Sequence, residues 1–277
     1  VTSADNRVRV TSMRFGLFGS AAARRGSGEF DSAEGFRDFI EYNVEAESLG
    51  FHSTFVVEHH FTGFGQVSAT LNLLTWLGAR TKTLRLGTAV MVLAWHNPVL
   101  LAEQAATVDV LSNGRLELGV GRGYRHNEFH GFVMDDAEAD ARFEESMAVM
   151  TKAWTSPDRW SHKGRFWQFD DAILEPMPIQ RPHPPIWVSA GRDASIVRAA
   201  QRGYRLLLDQ FTPVETIGHR IALYRATIEA SGRAFDPSSV AVARDVWIGP
   251  SGGLDDALAR RAVGHRRMIE AARTPGR

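Results

Sequence analysis

The chain of 277 residues has no cysteine, which excludes disulfides, thiolate nucleophiles and Cys-ligated zinc or iron–sulfur clusters. Any metal would have to be held by His and carboxylates. Nowhere do about 18 apolar residues run together, so no transmembrane helix is expected. The polar opening VTSADNRVRVTS offers no apolar stretch for a signal peptide. Neither sign of charge is in excess, with Lys plus Arg and Asp plus Glu at 32 each, and no basic run marks a nucleic-acid binder. These absences lead to the expectation of a cytoplasmic protein that binds neither nucleic acid nor membrane, with a loose leader over residues 1–12.

What is present, 44% hydrophobic and 23% charged residues, suits one large α/β core. Residues 51–65 (FHSTFVVEHHFTGFG) read as a buried strand that ends abruptly in Glu58, His59 and His60 and continues into an aromatic loop. Around it, strand-like and helix-like stretches alternate. Strands are expected at 13–19, 84–93, 115–123, 186–190, 205–209 and 240–249. The helices between them start near residues 31, 67, 97, 135, 195, 214 and 254. Asp31 and Glu34 are spaced as a capping box, Gly50 suits a helix C-terminus, and Asn97-Pro98 is a good N-cap and first-turn pair.

Residues 156–185 break this rhythm, and their aromatics and prolines predict a hairpin and an extended segment laid over the body. Alternating strands and helices indicate a parallel sheet and, with right-handed crossovers repeated around one axis, a barrel. The expectation is therefore one (β/α)8 TIM-barrel domain over residues 13–277, with an insertion before strand 5. Strand 8 is not identifiable.

In such a barrel the chemistry belongs at the C-terminal ends of the strands. Strand alternation sends Glu58 and His60 to one side and His59 to the other. That divergence, with a spacing unlike HExxH, argues against a metal. The histidines either cap the rim through carbonyl hydrogen bonds or serve as an acid/base pair near neutral pH. Gly119-Val120-Gly121-Arg122-Gly123-Tyr124 offers free amides and a guanidinium for a phosphate or flat ring, or is a tight turn with a solvated Arg. Its GxGxG spacing does not fit a nicotinamide fingerprint. Gly191-Arg192-Asp193-Ala194-Ser195 is a strand-to-helix junction that can hold an anion, or a plain N-cap.

The order and spacing of five segments resemble the bacterial luciferase-like flavin monooxygenases. They are FVVEHHFTGFG at 55–65, LRLGTAVMVLAWHNP at 84–98, LLAEQAATVDVLSNGRLELGVGRGY at 100–124, PIQRPHPPIWVSAG at 178–191 and AAQRG at 199–203. The resemblance implies a flavin-binding barrel with His59 as active-site acid/base, oriented by Glu58 or His60. It implies Ala89 and Val90, often joined by a cis peptide, beneath the isoalloxazine. Arg122 would contact the flavin phosphate, with Gly121, Gly123 and Tyr124 lining the pocket and Gly191, Arg192 and Ser195 completing the cradle.

The activity implied is that of a two-component FMN-dependent monooxygenase. Reduced FMN from a separate flavin reductase would react with O2 to a flavin C4a-peroxide that oxygenates a small organic substrate. Residues 61–65 and the aromatic insertion would close the pocket. Alternatives are an F420-dependent oxidoreductase that transfers hydride, and a non-catalytic flavin-binding relative. A homodimer through the second and third helices is implied as well.

Overall fold

The computed structural model describes residues 13–22, 32–63, 66–250 and 252–272. The leader, Asp31, Phe64 and Gly65 lie outside these. β1 (Gly16–Gly19) leads to α1 (Ser32–Ser48) and β2 (Ser53–Val56) to α2 (Thr70–Arg80). β3 (Arg85–Thr88) continues after a two-residue break as β4 (Met91–Val92) and leads to α3 (Pro98–Leu111). β5 (Leu116–Gly121) is followed by a short α4 (His126–Gly131), α5 (Ala139–Thr155) and the hairpin β6 (Trp160–Lys163) and β7 (Gln168–Ala172). The alternation resumes with β8 (Ile186–Ser189), α6 (Asp193–Gln201), β9 (Arg205–Leu208), α7 (Val214–Ala230), β10 (Val240–Val242) and α8 (Leu254–Ala272).

Local signals explain several boundaries. Gly50 takes φ 85° and ends α1, a conformation that carries no Cβ penalty for glycine. Asn97 caps α3 by accepting from the amides of Val99 and Leu100, with Pro98 in the first turn. The expected strand 84–93 is split at the cis peptide bond between Ala89 and Val90. The expected strand 240–249 stops at Val242, and Val246 and Ile248 beyond it are exposed.

The main sheet runs β1-β2-β3-β5-β8-β9-β10, all parallel, with β4 also paired to β5. Phe55 on β2 and Trp187 on β8 meet edge to face with centroids 5.5 Å apart, although β3 and β5 stand between their strands. A flat sheet would separate those strands by about 14 Å, so the sheet is curled. Among the described residues β10 is not paired with β1, and Phe18 and Val242 at the two edges are exposed. The sheet is thus curled but open, and a closed (β/α)8 barrel is not what these residues form.

The outward side chains Leu86, Leu116 and Leu118 are fully buried against helix residues such as Leu74, Leu77, Ala105 and Met150. Truncating one such Leu to Ala costs about 2–5 kcal/mol. At the N-terminal end of the sheet, the Glu117 carboxylate accepts from Arg85 Nε, from Trp187 Nε1 at 2.6 Å and from Arg205 Nη1 at 3.1 Å. That network ties β3, β5, β8 and β9 together at the pole opposite the strand C-termini.

Candidate functional site

Because the strands are parallel, their C-terminal ends share one rim. Glu58, His59 and His60 follow β2 there, Ala89 and Val90 lie between β3 and β4, residues 121–124 end β5, and residues 191–195 follow β8.

Glu58 is 1% exposed and is the acceptor on which the β2–β4 side of the rim converges. Its Oε1 accepts from His60 Nε2 at 2.9 Å, His96 Nε2 at 2.8 Å and Trp95 Nε1 at 2.9 Å. Its Oε2 accepts from the Val92 amide at 2.8 Å. Burial pushes its pKa up, but the hydrogen bonds from His60 and His96, the charge of His96 and the bond from Trp95 outweigh burial and hold it down at about 2. Glu58 is thus ionised at neutral pH and keeps a proton on Nε2 of both histidines. Trp95 stacks on Phe132 with centroids 5.0 Å apart, and Phe132 also meets His60 and Phe61 edge to face. This aromatic layer covers Glu58, while His60 and His96 remain partly exposed.

His59 takes a different partner. Its Nδ1 donates to Oε1 of Glu128 at 2.9 Å, and the same oxygen accepts the His60 amide at 2.9 Å. Glu128 sits on α4 and is 1% exposed. A carboxylate on Nδ1 leaves the lone pair of a neutral imidazole on Nε2. The expectation that Glu58 or His60 orients His59 is therefore corrected. Glu58 and His60 share a side and bond to each other, so His59 is turned away from both and is met by α4.

Across the rim lies a cleft of about 210 Å³ lined by Gly121, Arg122, Ser189, Gly191, Arg192 and Ser195, and also by Arg198, Arg202 and Tyr204. Asp140, Phe143 and Glu144 of α5 form its other wall. No side chain caps α6, but the Ser195 amide is taken by the Arg192 carbonyl, and the cleft runs along the face of α6 that carries Ser195, Arg198 and Arg202. A Cβ on Gly121 would stand 2.6 Å from Val90 Cγ2, and one on Gly119 would stand 1.9 Å from the Thr88 carbonyl oxygen. Close approach of β3 and β5 therefore requires glycine at both positions.

The sequence model of the luciferase-like monooxygenases matches residues 13–274. The chain belongs to that family. The oxygenase component of a flavin-dependent trigonelline monooxygenase from Acinetobacter baylyi is 34% identical over 73% of this chain and 55% of its own length. An F420-dependent glucose-6-phosphate dehydrogenase from Amycolatopsis mediterranei is 35% identical over 58% of this chain and 50% of its own length. The chain thus spans about half the length of these two curated relatives. The monooxygenase RslO1 from Streptomyces bottropensis superimposes with a TM-score of 0.83 at 28% identity, covering 94% of this chain and 78% of RslO1.

For this luciferase-like chain the fit of a flavin phosphate rests on the cleft itself. Four guanidiniums and the Ser195 hydroxyl form a donor set suited to a phosphate. Gly121, Arg122, Gly191, Arg192 and Ser195 are brought together there, and Val90 stands against Gly121. Gly123 and Tyr124 are not. A Cβ on Gly123 would meet Val92 and Phe129, and Tyr124 is exposed beneath Arg125. The insertion does not line the cleft either. Trp160 is buried in the main core, and Trp167 and Phe169 pack against it. Its turn is pinned by Glu145, which accepts from the amides of Arg165, Phe166 and Trp167.

Sequence reasoning missed Glu128, Arg198, Arg202 and Tyr204. The available signal was spacing: Asp140 and Glu144 on one helix, and Arg198 and Arg202 on the next, are each four residues apart and so share a helical face.

Proposed function

We propose that this chain is the oxygenase of a two-component system that uses reduced FMN and O2 to oxygenate a small organic substrate. The observation that carries the reading is the presence, on one rim, of an arginine-lined cleft beside α6 and a His59–Glu128 pair whose carboxylate is buried. Its relation to a flavin-dependent oxygenase component supports both the cofactor and a separate reductase.

Bound reduced FMN supplies the electrons that activate O2. The chain's own residues do the rest. Arg122, Arg192 and the Ser195 hydroxyl hold the phosphate, while Ala89, Val90 and Gly121 give the flat ring system a close-fitting side. His59 takes up and releases a proton at Nε2, and Glu128 keeps the other proton on Nδ1. Glu58 fixes His60 and His96, and Trp95 and Phe132 cover the buried carboxylate. Exposed Trp76 on α2 and Leu100 and Leu111 on α3 support a homodimer through these helices. No helix among the described residues is long and apolar enough to cross a membrane.

The second reading, hydride transfer with F420, is supported by the F420-dependent relative. Anaerobic absorbance titrations with reduced FMN and with F420 separate the two. The proposal predicts saturable binding of reduced FMN, weakened by R122A, and product oxygen derived from O2 when a reductase and substrate panel are added. Preferential F420 binding would replace it with the second reading. Flavin binding that yields only hydrogen peroxide would mark a flavin carrier without turnover.

A further inference from the structure

We propose that Asp140 and Glu144 are counter-ions built into the arginine cleft, and that they match it to a doubly charged phosphate monoester. The inference rests on the flavin reading for the identity of the natural ligand, though not for the anion site. Both carboxylates project from one face of α5, a turn apart. Asp140 straddles two arginines from different loops, with Oδ1 3.6 Å from Arg122 Nε and Oδ2 3.9 Å from Arg192 Nη2. Glu144 does the same on α6, with Oε2 2.6 Å from Arg202 Nη1 and Oε1 3.7 Å from Arg198 Nε. All six side chains line the cleft.

Four guanidiniums against two carboxylates leave two positive charges uncompensated in the lining. A phosphate monoester carries about −1.5 to −2 near pH 7 and neutralises them, whereas a phosphodiester, with one charge, leaves one over. The pairs of Asp140 are long and solvent-exposed, and such pairs contribute little. An arriving phosphate therefore displaces this carboxylate from its arginines rather than being shut out by it. Asp140 and Glu144 hold the arginines spread in the free protein and, by lowering the positive charge of the lining to the two that a dianion neutralises, weaken the binding of phosphate.

Removing either carboxylate therefore tightens phosphate binding. The test uses D140N and E144Q in the full chain, with inorganic phosphate followed by thermal shift and with FMN and riboflavin followed by fluorescence titration. D140N is expected to bind inorganic phosphate and FMN about three- to tenfold tighter, to show a larger phosphate-induced rise in melting temperature, and to leave riboflavin affinity unchanged. E144Q moves in the same direction. Equal or weaker phosphate binding in D140N, no phosphate-induced shift in any form, or an equal gain for riboflavin would each overturn the counter-ion role. If the wild type binds phosphate but neither FMN nor riboflavin, the flavin reading fails while the phosphate arm still decides this one.

Discussion

Replacing Glu58 by Gln tests the polar network of the rim through its energetics. In the wild type the carboxylate is buried and accepts from His60, His96, Trp95 and the Val92 amide. Burial raises its pKa, yet the bonds from His60 and His96 lead the opposing effects and bring it from 4.5 to about 2. That gap corresponds to about 3 kcal/mol. Since the folded-state pKa is the lower one, this stability is fully present above pH 4.5 and is lost as the pH falls towards 2. Gln keeps one acceptor oxygen but sets an amide NH2 against a donor, at a cost of about 2–4 kcal/mol. Denaturant unfolding of both proteins at pH 7, 5, 4 and 3 gives their stability difference at each pH. The difference should be about 3 kcal/mol at pH 7 and should shrink below pH 4, as the wild type loses what the variant never had. A difference that stays constant from pH 7 to pH 3, or no difference at pH 7, would refute the reasoning.

Two further substitutions probe the site. E128Q should lower turnover about ten- to hundredfold while leaving reduced FMN affinity intact, because it loosens the hold on the His59 Nδ1 proton. A turnover unchanged across the pH profile would remove Glu128 from the proton-handling pair. G121A places a Cβ 2.6 Å from Val90 Cγ2, so it should destabilise the fold by about 1–3 kcal/mol and weaken flavin binding. Unchanged melting and unchanged affinity would show that this wall is not close-fitting.

The alternation of strands and helices was legible because its signals are local. Apolar runs mark the strands, Gly50 ends a helix, and Asn97-Pro98 starts one. That alternation also led to the expected barrel and so to a curled sheet, but whether the sheet closes was not legible, since closure depends on which distant side chains meet. Phe55 finds Trp187 across two intervening strands, and no local pattern encodes that. Residues 243–249 read as strand from their apolar content, but strand structure needs a partner, and Val246 and Ile248 are exposed.

In the site, the rim position of Glu58, His59 and His60 followed from the strand-end pattern. Glu128 stayed hidden because α4 spans only His126–Gly131, too short to show an apolar period. Arg198 and Arg202 stayed hidden because the carboxylate they pair with, Glu144, lies on α5, distant in sequence. Tyr124, adjacent in sequence to the cleft residues, is turned outward because Gly123 takes φ 83° and redirects the chain.

The central claim is that this rim holds a reduced flavin and governs its reaction with O2 through His59. Stopped-flow mixing of the anaerobic protein and reduced FMN with O2, for the wild type and H59A, tests it most directly. The account predicts that the wild type binds reduced FMN and delays hydrogen peroxide release relative to free flavin, and that H59A still binds but loses the delay. Peroxide released from the wild type as fast as from free flavin, or identical traces for the two proteins, would contradict it.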